Sequence, residues 1–157
     1  MTKLLAGITS LIFCLSALPS ADAETTPAIC LPAQSGCITV KIRELKKPEG
    51  MLGVLLYSSK QGFPDKPDRA LARRVKKISG TEHEVRFENI PYGTYAVSVL
   101  HDENSNGKMD KTFIGIPREG FGVSNNPKIK TGPPKFSEAL FSLDQKQTEV
   151  TVTMKYF

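Results

Sequence analysis

What most constrains this chain is a period of two. Ile38, Val40 and Ile42 alternate with Thr39, Lys41 and Arg43, and Val85 and Phe87 alternate with Glu84, Arg86 and Glu88. The pattern recurs with Tyr95, Val97 and Val99 set between Thr94, Ala96 and Ser98. It recurs again with Val150, Val152 and Met154 against Glu149, Thr151 and Thr153. Successive side chains on a strand point to opposite faces, so each run presents one apolar face to a core. Met51 to Tyr57 is apolar almost throughout and reads as a central strand, and Ala139, Phe141 and Leu143 supply another inward face. Turn signals at Pro48-Glu49-Gly50, Ser79-Gly80, Pro91-Tyr92-Gly93 and Asp144-Gln145 separate these runs.

One segment has mixed signals. Leu71, Val75 and Ile78 have helical spacing, and Asp68 stands where it could cap a helix. The sequence predicts one short helical turn near 66–72, then a strand near 73–78. About seven short strands with little helix predict an all-β fold, an antiparallel β-sandwich of immunoglobulin-like kind occupying residues 37–157. Residues 103–137 break the pattern, with four prolines, five glycines and no sustained apolar period. Structureless loops of that length are uncommon in compact domains and tend to be functional or disordered. Phe113, Ile114, Ile116, Phe121, Val123 and Phe136 are dispersed along it, and the expectation is that they pin it to the sandwich.

The loop opens with "HDENSNGKMD", residues 101–110. Its Asp102, Asn104, Asn106 and Gly107 fit D-x-[DN]-x-[DN]-G, the front half of a calcium loop. Side-chain oxygens at alternate positions converge on an ion, the glycine permits a sharp bend, and the Lys108 carbonyl turns inward. Asp110 stands at the ninth position, where it ligates directly or through water. The twelfth position is Phe113, where a helix-loop-helix calcium site has a bidentate glutamate, and no amphipathic helices flank the loop. It is therefore no EF-hand. A completing carboxylate has to come from elsewhere, with Glu119 the nearest candidate, and so few charges imply weak affinity, on the order of 10⁻⁴–10⁻³ M. The competing reading is a hairpin turn, since Asn106-Gly107 is by itself a turn signal and Asp and Asn hydrogen-bond their own backbone.

Catalytic patterns are sparse. His101 is in phase with Tyr95, Val97 and Val99, and His83 with Val85 and Phe87, so both read as packed or hydrogen-bonded core-rim histidines. Gly120-Phe121-Gly122-Val123-Ser124 is not a nucleophile elbow, which needs its serine between the glycines. Arg69, Arg73, Arg74, Lys76 and Lys77 read as a solvated basic face.

The N-terminal end supplies an address. Lys3 precedes an apolar run from Leu4 to Leu18, and Ala21-Asp22-Ala23 has the small-x-small form that signal peptidase cuts after. Residues 1–23 read as a cleaved secretory signal, which leaves 157 − 23 = 134 residues, enough for one domain. Lys3 and Asp22 cancel, so the mature net charge stays +5. In an exported protein that charge means a solvated surface tolerant of anionic envelope polymers, and no nucleic-acid partner is expected. Cys30 and Cys37 remain after cleavage, at the end of the segment 24–36 that precedes the sandwich. An oxidising compartment lets them pair, which removes about 2–3 kcal/mol of chain entropy at best. The alternative is two reduced thiols.

Three stretches carry a resemblance: "FENIPYGTYAVSVLHDENSNGKMD", "GIPREGFGVSNN" and "GPPKFSEALFSL". In this order they resemble a family of small exported bacterial proteins, the domain-of-unknown-function family numbered twenty-one forty-one, from about Gly36 to the C-terminus. "FENIPYGTYAVSV" is also similar to the F-x-x-[IL]-P-x-G-x-Y strand motif of transthyretin-like and carboxypeptidase-regulatory-like sandwiches. The resemblance implies a β-sandwich exported to the periplasm or beyond. It places Asp102, Asn104, Asn106, Gly107 and Asp110 on the family's D-x-N-x-N-G-x-x-D element, and brings no catalytic residues.

The functional expectation is an exported, non-enzymatic module, periplasmic or secreted and without a membrane span. Its 102–110 loop holds a structural calcium ion, and its Gly115–Asn126 region offers a surface to an envelope component, a glycan or a protein. Two alternatives stand beside it: a small periplasmic hydrolase or lyase using His101 and Asp102, and a purely structural envelope protein without ion binding.

Overall fold

The structure, a computed structural model, describes residues 34–128 and 132–157. Eight strands follow one another: β1 (Ser35–Arg43), β2 (Met51–Tyr57), β3 (Ala72–Lys77), β4 (His83–Pro91), β5 (Gly93–Asp102), β6 (Gly120–Val123), β7 (Phe141–Leu143) and β8 (Gln147–Thr153). They form two sheets, one ordered β4-β1-β8 and the other β3-β2-β5-β6, with β7 added to β5. All pairings are antiparallel except β1 with β8, which is parallel.

The alternating residues account for the layers. Ile38, Val40 and Ile42 of β1, Phe87 of β4 and Val152 of β8 face Leu52, Val54 and Leu56 of β2 and Val97 of β5, and all are fully buried. Each such side chain contributes about 1.5–3 kcal/mol relative to exposure. The sandwich is therefore the fold that the period of two predicts.

β2 and β5 are also covered on their outer faces. Tyr57 and Ala96 are fully buried there, and a second cluster joins Ala96, Val123 and Ala139 with Phe63 and Phe136. Tyr57, Phe63 and Phe136 meet edge to face, with centroids 5.4 and 5.5 Å apart.

The expected helical turn is a 3-10 turn at Pro67–Arg69. Asp68 lies inside it and does not cap it, because Lys66 is the capping position. β3, the edge of its sheet, carries Arg73, Arg74, Lys76 and Lys77 exposed. Charge on an edge strand discourages pairing with another chain.

The segment 103–137 is less irregular than its composition suggests, since it contains β6 and a 3-10 turn at Phe136–Glu138. The inner face of β6 consists of Gly120 and Gly122. A Cβ on Gly122 would lie 2.6 Å from Val152 Cγ1, and one on Gly120 would overlap the Tyr156 ring. Glycine is what lets this strand approach β8 and the C-terminal segment. The pinning expected of the aromatic and aliphatic residues holds for Val123 and Phe136 but not for Phe113, Ile114 and Ile116. Phe113 is fully exposed and Ile114 is 65% exposed, at the tip of a small hairpin closed by Thr112 N–H on Ile116 O at 2.8 Å.

No helix among the described residues is long and apolar enough to cross a membrane. Cys37 lies half-buried in β1, whereas Cys30 and the 1–23 segment fall outside the described residues.

Candidate binding loop and groove

β5 ends by sending neighbouring residues to opposite faces. His101 points inward and is fully buried; Asp102 points outward at the start of the loop and is 5% exposed. The imidazole Nε2 lies 2.9 Å from Glu49 O, an acceptor only, so Nε2 carries the proton and donates it there. Nδ1 lies 2.7 Å from the Tyr156 hydroxyl, which accepts Lys46 N–H and donates to the ring. Burial also pushes the Tyr156 hydroxyl's pKa up, which keeps it a donor. Both ring nitrogens are thus occupied inside the core, and Asp102 faces away from them. His83 is held through one nitrogen, its Nε2 lying 3.3 Å from both Ser79 N and Gly80 O and bonding to one of them according to tautomer.

The loop itself is closed by its own side chains. Asp102 accepts Asn106 N–H on Oδ1 at 3.0 Å and Gly107 N–H on Oδ2 at 2.7 Å. Asn104 Oδ1 accepts Asn106 N–H at 3.1 Å, and Asn106 Oδ1 accepts Lys108 N–H at 2.8 Å. Gly107 adopts φ +78° with no atom of the described residues near its missing Cβ, so its need is conformational and not steric. Asp110 closes the arc, receiving the amide nitrogens of Asn104 at 2.7 Å and of Asn106 at 3.1 and 3.2 Å.

Glu119 joins the two ends of this arc. It is 4% exposed, with Oε1 accepting Glu103 N–H at 3.0 Å and Oε2 accepting Asp110 N–H at 2.9 Å. Lys47 Nζ contacts Glu103 Oε2 at 2.6 Å, and that hydrogen bond holds the ammonium above its ordinary pKa. Among the described residues, Asp102, Asp110 and Glu119 form no salt bridge. Also among them, no three His, Cys, Asp or Glu side chains converge closely enough to hold a metal ion by themselves.

Asp102, Asn104, Asn106 and Asp110 therefore do come together as the spacing suggests, and Glu119 joins them through backbone N–H groups. Lys108 contributes its N–H to the arc and also lines a neighbouring groove of about 880 Å³. Leu55 of β2, Leu100 of β5 and Phe121 and Val123 of β6 supply groove-lining apolar side chains. The walls are the Phe63–Pro67 segment, the continuation of the loop from Gly107 to Pro117, and Gly132–Pro134. Lys111 and Asp65 approach to 3.9 Å across two of these walls.

The sequence reading missed the groove's β2 side. Its signal was present in Gly53 and Leu55, the outward positions of a strand that is apolar on both faces.

No curated protein and no solved structure matches the chain. One family model does, that of an uncharacterized protein conserved in bacteria (DUF2141), over residues 40–151. The match covers most of the sandwich together with the loop, Glu119 and Gly53, and the chain belongs to this family.

Proposed function

We propose that this chain is an exported, non-enzymatic binding module. Its Asp102–Asp110 loop takes a structural calcium ion, and that ion sets the wall of the adjoining groove. The observation that carries this reading is the pair of buried carboxylates, Asp102 and Glu119, which have no basic partner among the described residues. Acidic side chains are seldom buried to this extent unless an opposite charge or a metal answers them.

The donor set suits a hard cation bound weakly. Calcium takes 6–8 oxygens. Asp102, Asp110, the amide oxygens of Asn104 and Asn106 and the Lys108 carbonyl supply most of them, with few negative charges. These side-chain oxygens already accept N–H groups, and all but Asp110 Oδ2, which receives both amide nitrogens, keep a second lone pair. Binding rotates the two amides so that oxygen, in place of nitrogen, meets the ion. Glu119 organises the loop from behind, its two oxygens accepting the N–H groups of Glu103 and Asp110, and is the candidate for a completing ligand.

Export rests on the Lys3 to Ala23 pattern. The non-enzymatic reading is supported by His101, which has neither a free nitrogen nor a solvent face. A second reading is favoured by the hydrogen bonds on Asp102 and Asp110: the loop is a self-closed turn that needs no ion. Melting of the mature domain in millimolar calcium and in chelator separates the two. The calcium reading expects a higher melting temperature in calcium, lost in Asp102→Asn and Asp110→Asn. An unchanged wild-type melting temperature leaves the self-closed turn.

A further inference from the structure

We infer that the groove on the outer face of the five-stranded sheet binds a long-chain carboxylate, with the alkyl chain over Gly53 and Leu100 and the head group at the lysine rim. The inference rests on the binding-module reading and names its ligand class.

Gly53 carries the argument. It lies in the middle of β2, a central strand, where glycine weakens the sheet and often marks a close approach by another group. Gly120 and Gly122 are explained by protein atoms in the space their side chains would take. Gly53 is not: among the described residues a Cβ there would meet only Leu100 Cβ, at 3.9 Å, which is ordinary contact. Its backbone is in register with β3 and β5 and has no positive φ. The missing side chain leaves space that no atom of the described residues uses, and that space opens into the groove.

The lining selects the chemistry. Leu55, Leu100, Phe121, Ile114, Ile116 and Pro134 provide apolar surface. Among the described residues, the one hydroxyl on the floor, Ser98 Oγ, already donates to Pro64 O at 2.7 Å. A glycan needs several convergent polar groups, and this surface offers hydrocarbon. Among the described residues, the ionic side chains lining the groove are Lys66, Lys108, Lys111 and Asp65, three positive against one negative. Asp65 is engaged with Lys111, so Lys66 and Lys108 are without an ion pair among the described residues. An apolar chain with one anionic end matches this arrangement, and the volume of about 880 Å³ lies in the usual range for small-molecule sites.

The test is a titration of the mature domain with dodecanoate, in chelator, followed by amide NMR. Dodecyl maltoside and dodecyltrimethylammonium serve as neutral and cationic comparisons. Saturable shifts are expected at Gly53, Leu100, Gly107 and Phe121, with dodecanoate tighter than either comparison. Gly53→Leu fills the space: affinity falls at least tenfold while the melting temperature rises by about 2–4 °C, as relief of a mid-strand glycine implies. Lys66→Gln with Lys108→Gln lowers dodecanoate affinity about fivefold and leaves the maltoside unchanged. Undiminished binding by a folded Gly53→Leu protein, equal binding of the cationic amphiphile, or shifts confined to other surfaces would overturn the inference. Because the calcium response is read separately by melting, without dodecanoate, failure of one reading leaves the other measurable.

Discussion

Glu119→Gln tests how the loop is held. In the native protein one carboxylate accepts two backbone N–H groups, from Glu103 at 3.0 Å and Asp110 at 2.9 Å, and so ties together residues at either end of the arc. Hydrogen bonds to a charged group are worth about 1.5–3 kcal/mol each. Glutamine keeps one acceptor oxygen, so one bond survives as a neutral contact worth about 1 kcal/mol. Its amide nitrogen faces the other N–H, which loses its acceptor at a cost of about 1–3 kcal/mol. Opposing these losses is the smaller desolvation penalty of a neutral side chain. With both N–H groups aimed at the carboxylate, the losses win, by about 2–3 kcal/mol net. For a domain of this size that lowers the melting temperature by roughly 10 °C. Thermal melting gives the total, and amide hydrogen exchange locates it at Glu103 and Asp110. A variant that melts within about 2 °C of wild type, with both amides protected as before, would refute the stapling role.

Two further substitutions test the sheet around the site. Burial pushes the Tyr57 hydroxyl up to about 12, against an ordinary value of about 10. The folded state therefore retains that proton where the unfolded chain has lost it: the contribution is intact below about pH 10 and is lost as pH climbs towards 12. Urea melts at about pH 9 and about pH 11 should show a smaller alkaline loss in Tyr57→Phe than in wild type. Gly122→Ala places a methyl 2.6 Å from Val152 Cγ1 and 3.0 Å from the Thr153 carbonyl, and the carbonyl cannot rotate away. Overpacking of that kind costs about 1–3 kcal/mol, measurable as a lower urea midpoint with an unchanged slope.

The sandwich was legible because its two sheets bury alternate residues of β1, β4, β5 and β8, and a period of two leaves a direct trace in sequence. β6 was harder to see because its inner positions are Gly120 and Gly122, which show no apolar period. Their reason lies in Val152 and Tyr156, some thirty residues further along the chain. The arc from Asp102 to Asp110 was legible because its contacts are local, each side chain bonding to a backbone N–H or a side-chain partner two to six residues away. Glu119 was picked out by proximity, but its role as a backbone acceptor depends on where β6 docks against β5. The exposed tip at Phe113 and Ile114 ran against expectation: the small hairpin closes on its own backbone, leaving Phe113 fully exposed and Ile114 at the margin of the groove. The groove needed the fold most, because its floor draws on β2, β5 and β6 together.

The central claim is that an ion organises the loop forming one groove wall, and amide NMR during a calcium titration of the mature domain tests it most directly. The account predicts saturable shifts at Asn106, Gly107 and Asp110 with a midpoint on the order of 10⁻⁴–10⁻³ M, extending along the wall to Lys111 and Ile116. Resonances that stay in place through millimolar calcium would contradict it.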